Sequence, residues 1–175
     1  MNFPKNRMRR LRYNRILRNM IEDVSIQTSD LIYPIFITEG LGIKEEITSM
    51  PGQYRYSIEN AVEFCKELVE NKISSIILFG IPGEKDETGA ISCKSESIIP
   101  RAISEIKSQF SDKLFIIADV CNCEYTKHGH CGTIIENDVD NDSTLKTLAE
   151  QSLVLARSGA DAVSYTHLTL PTKVR

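Results

Sequence analysis

The sequence predicts an α/β chain that folds as about the first half of a (β/α)8 TIM barrel, preceded by a basic N-terminal arm. Three observations carry that expectation. Short apolar runs begin near residues 31, 75, 114 and 161, and stretches of helical periodicity separate them. Such a βα repeat requires parallel strands covered by helices. The runs are apolar throughout rather than alternating, so burial on both faces is expected. No Gly-x-Gly-x-x-Gly follows the first run, which leaves a dinucleotide-binding open sheet without support. A barrel of the usual length, about 250 residues, would be cut near its middle in this chain of 175. The rival arrangement is an open doubly wound sheet lacking that dinucleotide site.

The chain divides into an arm over 1–29, a partial barrel over 30–163 and a tail over 164–175. Within the arm, Met8, Leu11, Ile16, Leu17 and Met20 make only a rough helical stripe, which suits an extension packed on something else. The first strand is the run Asp30–Ile37, where Pro34 predicts a bend or bulge. A polar loop follows, with a turn at Pro51-Gly52. Ser57 is placed to cap a helix that carries Ile58, Ala61, Val62, Cys65, Leu68 and Val69 on one face. The second strand, Ser75–Phe79, ends at Gly80 and leads into a long charged loop. Ile99, Ala102, Ile103 and Ile106 mark the next helix, with Pro100 confined to its first turn. The third strand is Leu114–Ala118. A third helix is expected from Asp142 as N-cap to Gly159 as stop, with a fourth strand over Ala160–Val163.

Composition excludes several classes. No apolar run approaches the roughly 20 residues of a membrane span, and the start lacks the apolar stretch of a signal peptide. Five cysteines, an odd number, do not read as a disulfide framework. Cys65 fits a core face, and Cys93 stands alone. Net charge is −3, yet the first 20 residues hold seven basic groups and no acid, so the rest carries −10. A basic arm on an acidic body fits docking onto a sister subunit or contact with nucleic acid. Only Phe3 and Tyr13 supply aromatics in the arm, which weakens the nucleic-acid reading.

The chemistry concentrates in Asp119-Val120-Cys121-Asn122-Cys123-Glu124-Tyr125-Thr126-Lys127-His128-Gly129-His130-Cys131-Gly132, a loop leaving the third strand. In an extended segment Cys121 and Cys123 would present their sulfurs to one side. Gly129 and Gly132 allow the chain to return so that Cys131 supplies a third. Three thiolates with an open fourth position are the ligand set of a catalytic-type zinc site, whereas His128 or His130 as a fourth ligand would close it. Zn²⁺ with three thiolates carries a net −1, so it is better suited to polarising a substrate oxygen or nitrogen than to acidifying water.

This loop resembles the zinc loop of the delta-aminolevulinic acid dehydratase (porphobilinogen synthase) family. The likeness extends outward in order through Arg9-Arg10-Leu11-Arg12, Asp30–Phe36, Ser49-Met50-Pro51-Gly52, Leu78-Phe79-Gly80-Ile81-Pro82 with Lys85-Asp86, Asn141-Asp142-x-Thr144-Leu145 and Gly159-Ala160-Asp161. It covers roughly residues 7–163. The resemblance implies a (β/α)8 barrel whose arm embraces a neighbouring subunit, in a homo-octamer. It implies a cytoplasmic lyase that condenses two molecules of 5-aminolevulinate into porphobilinogen, with loss of water, in tetrapyrrole and haem biosynthesis. It implies Cys121, Cys123 and Cys131 as Zn²⁺ ligands, Asp119 as a carboxylate near the substrate amine, and His130 as a neighbour of the metal. Neither a nucleic-acid nor a membrane partner is expected.

Two departures bear on activity. The family's two Schiff-base lysines belong to later barrel strands; Lys173 matches neither motif, so this polypeptide alone is expected to be inactive. The Mg²⁺ site of some members would also lie on downstream residues. The tail from Ser164 lacks the family's continuation and reads as non-family sequence, so His167 is assigned to no site. Two rival readings are a different barrel enzyme using thiolate-bound zinc, and a non-enzymatic module in which a histidine closes the metal.

Overall fold

The computed structural model describes residues 4–5 and 9–164. Residues 165–175, with His167 and Lys173, lie outside the described residues; of the segment read as a tail only Ser164 is described, and it closes the last strand of the sheet rather than standing apart from it. In the arm, a 3-10 turn at Arg10–Arg12 precedes a short helix, α1 (Arg15–Met20). Asn14 caps α1 by accepting from the Leu17 N–H at 2.8 Å. Tyr13, Ile16, Met20, Val24 and Ile26 remain more than 70% exposed. The arm thus forms local structure without joining the core, as its ragged periodicity predicts.

Next come β1 (Ile32–Thr38), β2 (Lys44–Glu46), β3 (Tyr54–Tyr56), α2 (Ile58–Glu70) and β4 (Ser75–Ile81). These are followed by α3 (Ile98–Phe110), β5 (Phe115–Asp119), the small strands β6 (Ile134–Ile135) and β7 (Asp138–Val139), α4 (Asn141–Arg157) and β8 (Ala162–Ser164). The main sheet has the order β2-β3-β1-β4-β5-β8. Its strands β1, β4, β5 and β8 are mutually parallel and add in chain order. A doubly wound sheet reverses that order at a switch point; this one does not. Helix α2 packs on α3 and α3 on α4, so consecutive crossovers share one side of the sheet. That winding is a partial (β/α)8 barrel.

The core lies between the helices and one sheet face. Ile35, Ile37, Ile76, Leu78, Ile116 and Ala118 are fully buried against Ala61, Cys65, Ala102, Ile103 and Ile106. The expected burial on both faces is not observed. Burial alternates along β1 and β4, leaving Pro34, Phe36, Ile77 and Phe79 only half-buried. The parallel register puts Pro34 beside Ile77, Ile77 beside Ile117 and Phe36 beside Phe79 on the face opposite the helices, where Phe36 and Phe79 stack at 5.4 Å. Helices cover one face only, so apolar composition on the other does not produce full burial.

Smaller expectations are also corrected. Pro34 makes no bulge, because β1 and β4 pair one-to-one from Ile32 with Ser75 to Thr38 with Ile81. At Pro34, β1 has a neighbour on one side only, since β3 pairs at Phe36 and Ile37 alone; the missing donor is tolerated there. The polar loop after β1 contains the antiparallel β2–β3 pair. Its turn places Pro51 before Gly52 at φ +81°, with the Gln53 N–H bonded to the Met50 carbonyl at 2.9 Å, as a type II turn requires. Ser57 occupies the N-cap of α2 but makes no cap bond; its hydroxyl accepts instead from the Ile43 N–H at 3.1 Å. The N-cap of α4 is Asp140, which accepts from the Ser143 N–H at 2.9 Å, and Asp142 sits in the first turn. Gly159 at φ +104° ends that helix as expected.

Candidate metal centre at the carboxyl end of the sheet

Parallel strands deliver the loops that follow them to one end of the sheet, where barrel enzymes build their sites. Here the loops after β4 and β5 meet. Asp119 closes β5 and is 9% exposed. It pairs with Ser164 at the end of β8, whose hydroxyl donates to Asp119 Oδ1 at 2.7 Å.

The chain then turns rather than continuing extended. The Asn122 carbonyl accepts from the N–H groups of both Tyr125 and Thr126 at 2.9 Å. Cys121 and Cys123 therefore meet through a turn and not through strand alternation, with their sulfurs 2.9 Å apart. The loop returns as expected. Gly132 packs where a Cβ would sit 2.6 Å from Thr144 and from Val139. The Thr133 N–H donates to Thr144 Oγ1 at 3.0 Å, anchoring this return to the start of α4. Cys131 then joins the other two, and the three sulfurs all lie within 4.8 Å of one another.

The donor set fits a metal ion. A tetrahedral centre with metal–sulfur bonds of about 2.3 Å needs sulfurs about 3.8 Å apart; all three lie within 4.8 Å of one another, and Cys121 and Cys123, at 2.9 Å, would separate slightly on binding. All three cysteines are free. Burial pushes the Cys121 and Cys123 thiols up; the Cys123 side chain adds to the rise at Cys121, whereas at Cys123 the Cys121 side chain opposes it and Cys131 adds to it. A bound cation is the usual means of ionising such a cluster.

Neither histidine joins the group among the described residues. His128 is occupied elsewhere. Its Nδ1 accepts from the His130 N–H at 3.1 Å, which leaves Nε2 protonated and donating to the Glu87 carbonyl at 3.1 Å. The arrangement can hold a metal on three sulfurs with a fourth position free.

Sequence reasoning assigned no role to Glu124, although it sits inside the motif. Its carboxylate accepts from the Gly80 N–H at 3.0 Å and so joins the metal loop to the end of β4. Burial pushes the Glu124 carboxyl up to about 7, opposed by that N–H and by Lys85 and reinforced by the charge of Asp119. Glu124 borders a cavity of about 280 Å³ together with Phe36, Arg55, Gly80 and Lys85. A larger groove of about 690 Å³ lies between α2 and α3 and contains no thiol or histidine. The smaller cavity is the one that shares a residue with the metal loop. Of the remaining cysteines, Cys65 is fully buried in the core, where burial raises its thiol to about 12. Cys93 is half-buried and donates to the Thr147 carbonyl.

The family model described as delta-aminolevulinic acid dehydratase matches residues 5–169. The chain belongs to the delta-aminolevulinic acid dehydratase family. That match continues past 163, across the first six residues of the segment set apart as a tail. The delta-aminolevulinic acid dehydratase of Helicobacter pylori is 47% identical over 90% of this chain and 49% of its own length. The Methanothermus sociabilis enzyme is 42% identical over 94% and 51%. The chain thus spans about half the length of these curated relatives. The counterpart from Ruminiclostridium josui is 39% identical, with 77% of its own length matched. Among solved structures, the Toxoplasma gondii enzyme in complex with its product porphobilinogen superimposes with a TM-score of 0.87 at 33% identity, over 92% of this chain and 46% of that one.

Proposed function

We propose that this chain supplies the zinc-holding portion of a porphobilinogen synthase that condenses two molecules of 5-aminolevulinate. The observation that carries the reading is the convergence of Cys121, Cys123 and Cys131 at the carboxyl end of a partial barrel in a chain of this family. Soft sulfur donors in a set of three suit Zn²⁺ and leave one position for substrate. The metal, when bound, supplies Lewis-acid polarisation. Asp119 lies at the strand end beside that centre and is the carboxylate that would face the substrate amine, held in place by Ser164. The exposed basic arm is the self-association element, and full assembly follows the octamer implied by the family resemblance. The protein works in the cytoplasm; no helix of the described residues is long and apolar enough to cross a membrane.

A lysine imine acts as an electron sink that zinc does not replace. No lysine of this chain lies in a motif matching the two Schiff-base lysines, so the polypeptide alone does not turn over substrate. Metal analysis of the purified chain tests the reading. One zinc per chain is expected, with loss of that zinc in Cys121→Ser, Cys123→Ser and Cys131→Ser alike. Incubating the zinc-loaded chain with 5-aminolevulinate should yield no porphobilinogen. Zinc retained in all three variants would refute the ligand assignment, and product formation would refute the division of labour.

A further inference from the structure

The loop after β4 and the metal loop are joined by a short backbone ladder. The Asp86 N–H donates to the Tyr125 carbonyl at 3.0 Å, and the Lys127 N–H donates to the Asp86 carbonyl at 2.9 Å. The His128 ring adds its bond to Glu87. These contacts grip residues 125–128, the stretch of chain between Cys123 and Cys131. What holds the other side of the ladder is the Asp86 carboxylate. Its Oδ1 accepts from the N–H groups of Thr88 at 2.7 Å, Gly89 at 2.5 Å and Ala90 at 3.2 Å, and from the Thr88 hydroxyl at 3.0 Å. Its Oδ2 accepts from the Ile91 N–H at 3.0 Å. Partial burial opposes ionisation of Asp86, but these donors outweigh it and hold the carboxyl below its ordinary value.

The turn built this way also reaches the metal loop at a second point. Gly89 is buried at φ +74°, and a Cβ there would lie 3.4 Å from the side chain of Asn122. Asn122 stands between Cys121 and Cys123 and is fully buried, with neither amide atom hydrogen-bonded. Its position therefore depends on packing, and Gly89 is part of that packing. One carboxylate thus sets a turn that braces the metal loop both between the first two cysteines and ahead of the third.

We infer that Asp86 is a positioning residue for the metal centre, acting through the 86–91 turn and not by touching the ion. The inference rests on the proposed metal-binding reading. Groups just outside a metal's own ligands commonly change its affinity by 10- to 100-fold when altered. Asp86→Asn keeps the shape but removes the charge, and turns one acceptor oxygen into a donor facing the Ile91 N–H. Gly89→Ala perturbs the same brace from its far side.

The test loads the 175-residue chain with Co²⁺ and follows the thiolate-to-cobalt absorption while a chelator removes the metal. Asp86→Asn should release cobalt about 10-fold faster or more, and Gly89→Ala should also release it faster. The control is Asp161→Ala, which weakens the body of the fold at the opposite end of β5 and should leave the release rate unchanged. A wild-type release rate in a folded Asp86→Asn would overturn the inference, whatever Gly89→Ala does. So would equal acceleration in Asp161→Ala, which would mark general loosening. Should Asp86→Asn fail to fold, Gly89→Ala decides alone. A wild-type chain without the cobalt–thiolate band would overturn the metal-binding reading itself, and this inference with it.

Discussion

Replacing Asp161 with alanine should destabilise the fold in a pH-dependent way. Asp161 Oδ2 accepts from the Ile116 N–H at 2.7 Å and from Lys107 Nζ at 2.7 Å. The side chain therefore fastens the entry to β8 onto both β5 and α3. Burial alone would raise its carboxyl, but the Ile116 N–H and the Lys107 ammonium prevail and hold it below the usual carboxylate range. Hydrogen bonds to a charged group contribute about 1.5–3 kcal/mol, and exposed ion pairs at most about 1. With the pair 22% and 30% exposed, a total near 2 kcal/mol is reasonable. In a chain of this length that corresponds to a Tm lower by about 4–8 °C.

The sign follows from the depressed pKa. The stabilisation is fully present above the unfolded carboxylate value of about 3.9 and is lost as pH falls through the lower folded value. Urea titrations of wild type and Asp161→Ala between pH 7 and pH 3 would measure the difference. It should be constant down to about pH 5 and shrink below about pH 4. A difference under about 0.5 kcal/mol at pH 7, or one that grows on acidification, would refute the assignment.

Two further outcomes concern the site and the arm. A Cβ at Gly80 would meet the Tyr125 hydroxyl at 2.5 Å and Ile99 at 2.8 Å, so Gly80→Ala should cost about 1–3 kcal/mol by overpacking. It should also disturb the Glu124 bond to the Gly80 N–H; thermal unfolding and amide exchange at Gly80 would record the two effects. Deleting residues 1–29 should leave the thermal midpoint within about 2 °C, because the described residues of the arm bury almost nothing against the body. The same deletion should abolish concentration-dependent association in sedimentation velocity, and unchanged association would show that other surfaces drive assembly.

Much of this molecule was legible in the order of its residues. The βα alternation, the core face of α2, the stop at Gly159 and the gathering of three thiols all rest on short-range patterns that neighbouring residues determine. The family likeness rests on the same local record. What required the tertiary structure lies across long separations. Only the strand order distinguishes a barrel from a doubly wound sheet, because both share the same βα rhythm. Apolar composition could not reveal that Phe36 and Phe79 are half-buried, since burial depends on what covers a face and not on the strand itself. The β2–β3 pair escaped notice because strands of three residues, Lys-Glu-Glu and Tyr-Arg-Tyr, are too short to establish a period. The Glu124 bond to Gly80 spans 44 residues, and the Asp86 ladder joins loops that are remote in sequence. Those contacts exist because parallel strands deliver their following loops to one end of the sheet. Residue order alone places three thiols where they could hold a metal; the parallel sheet supplies the backbone that keeps them there.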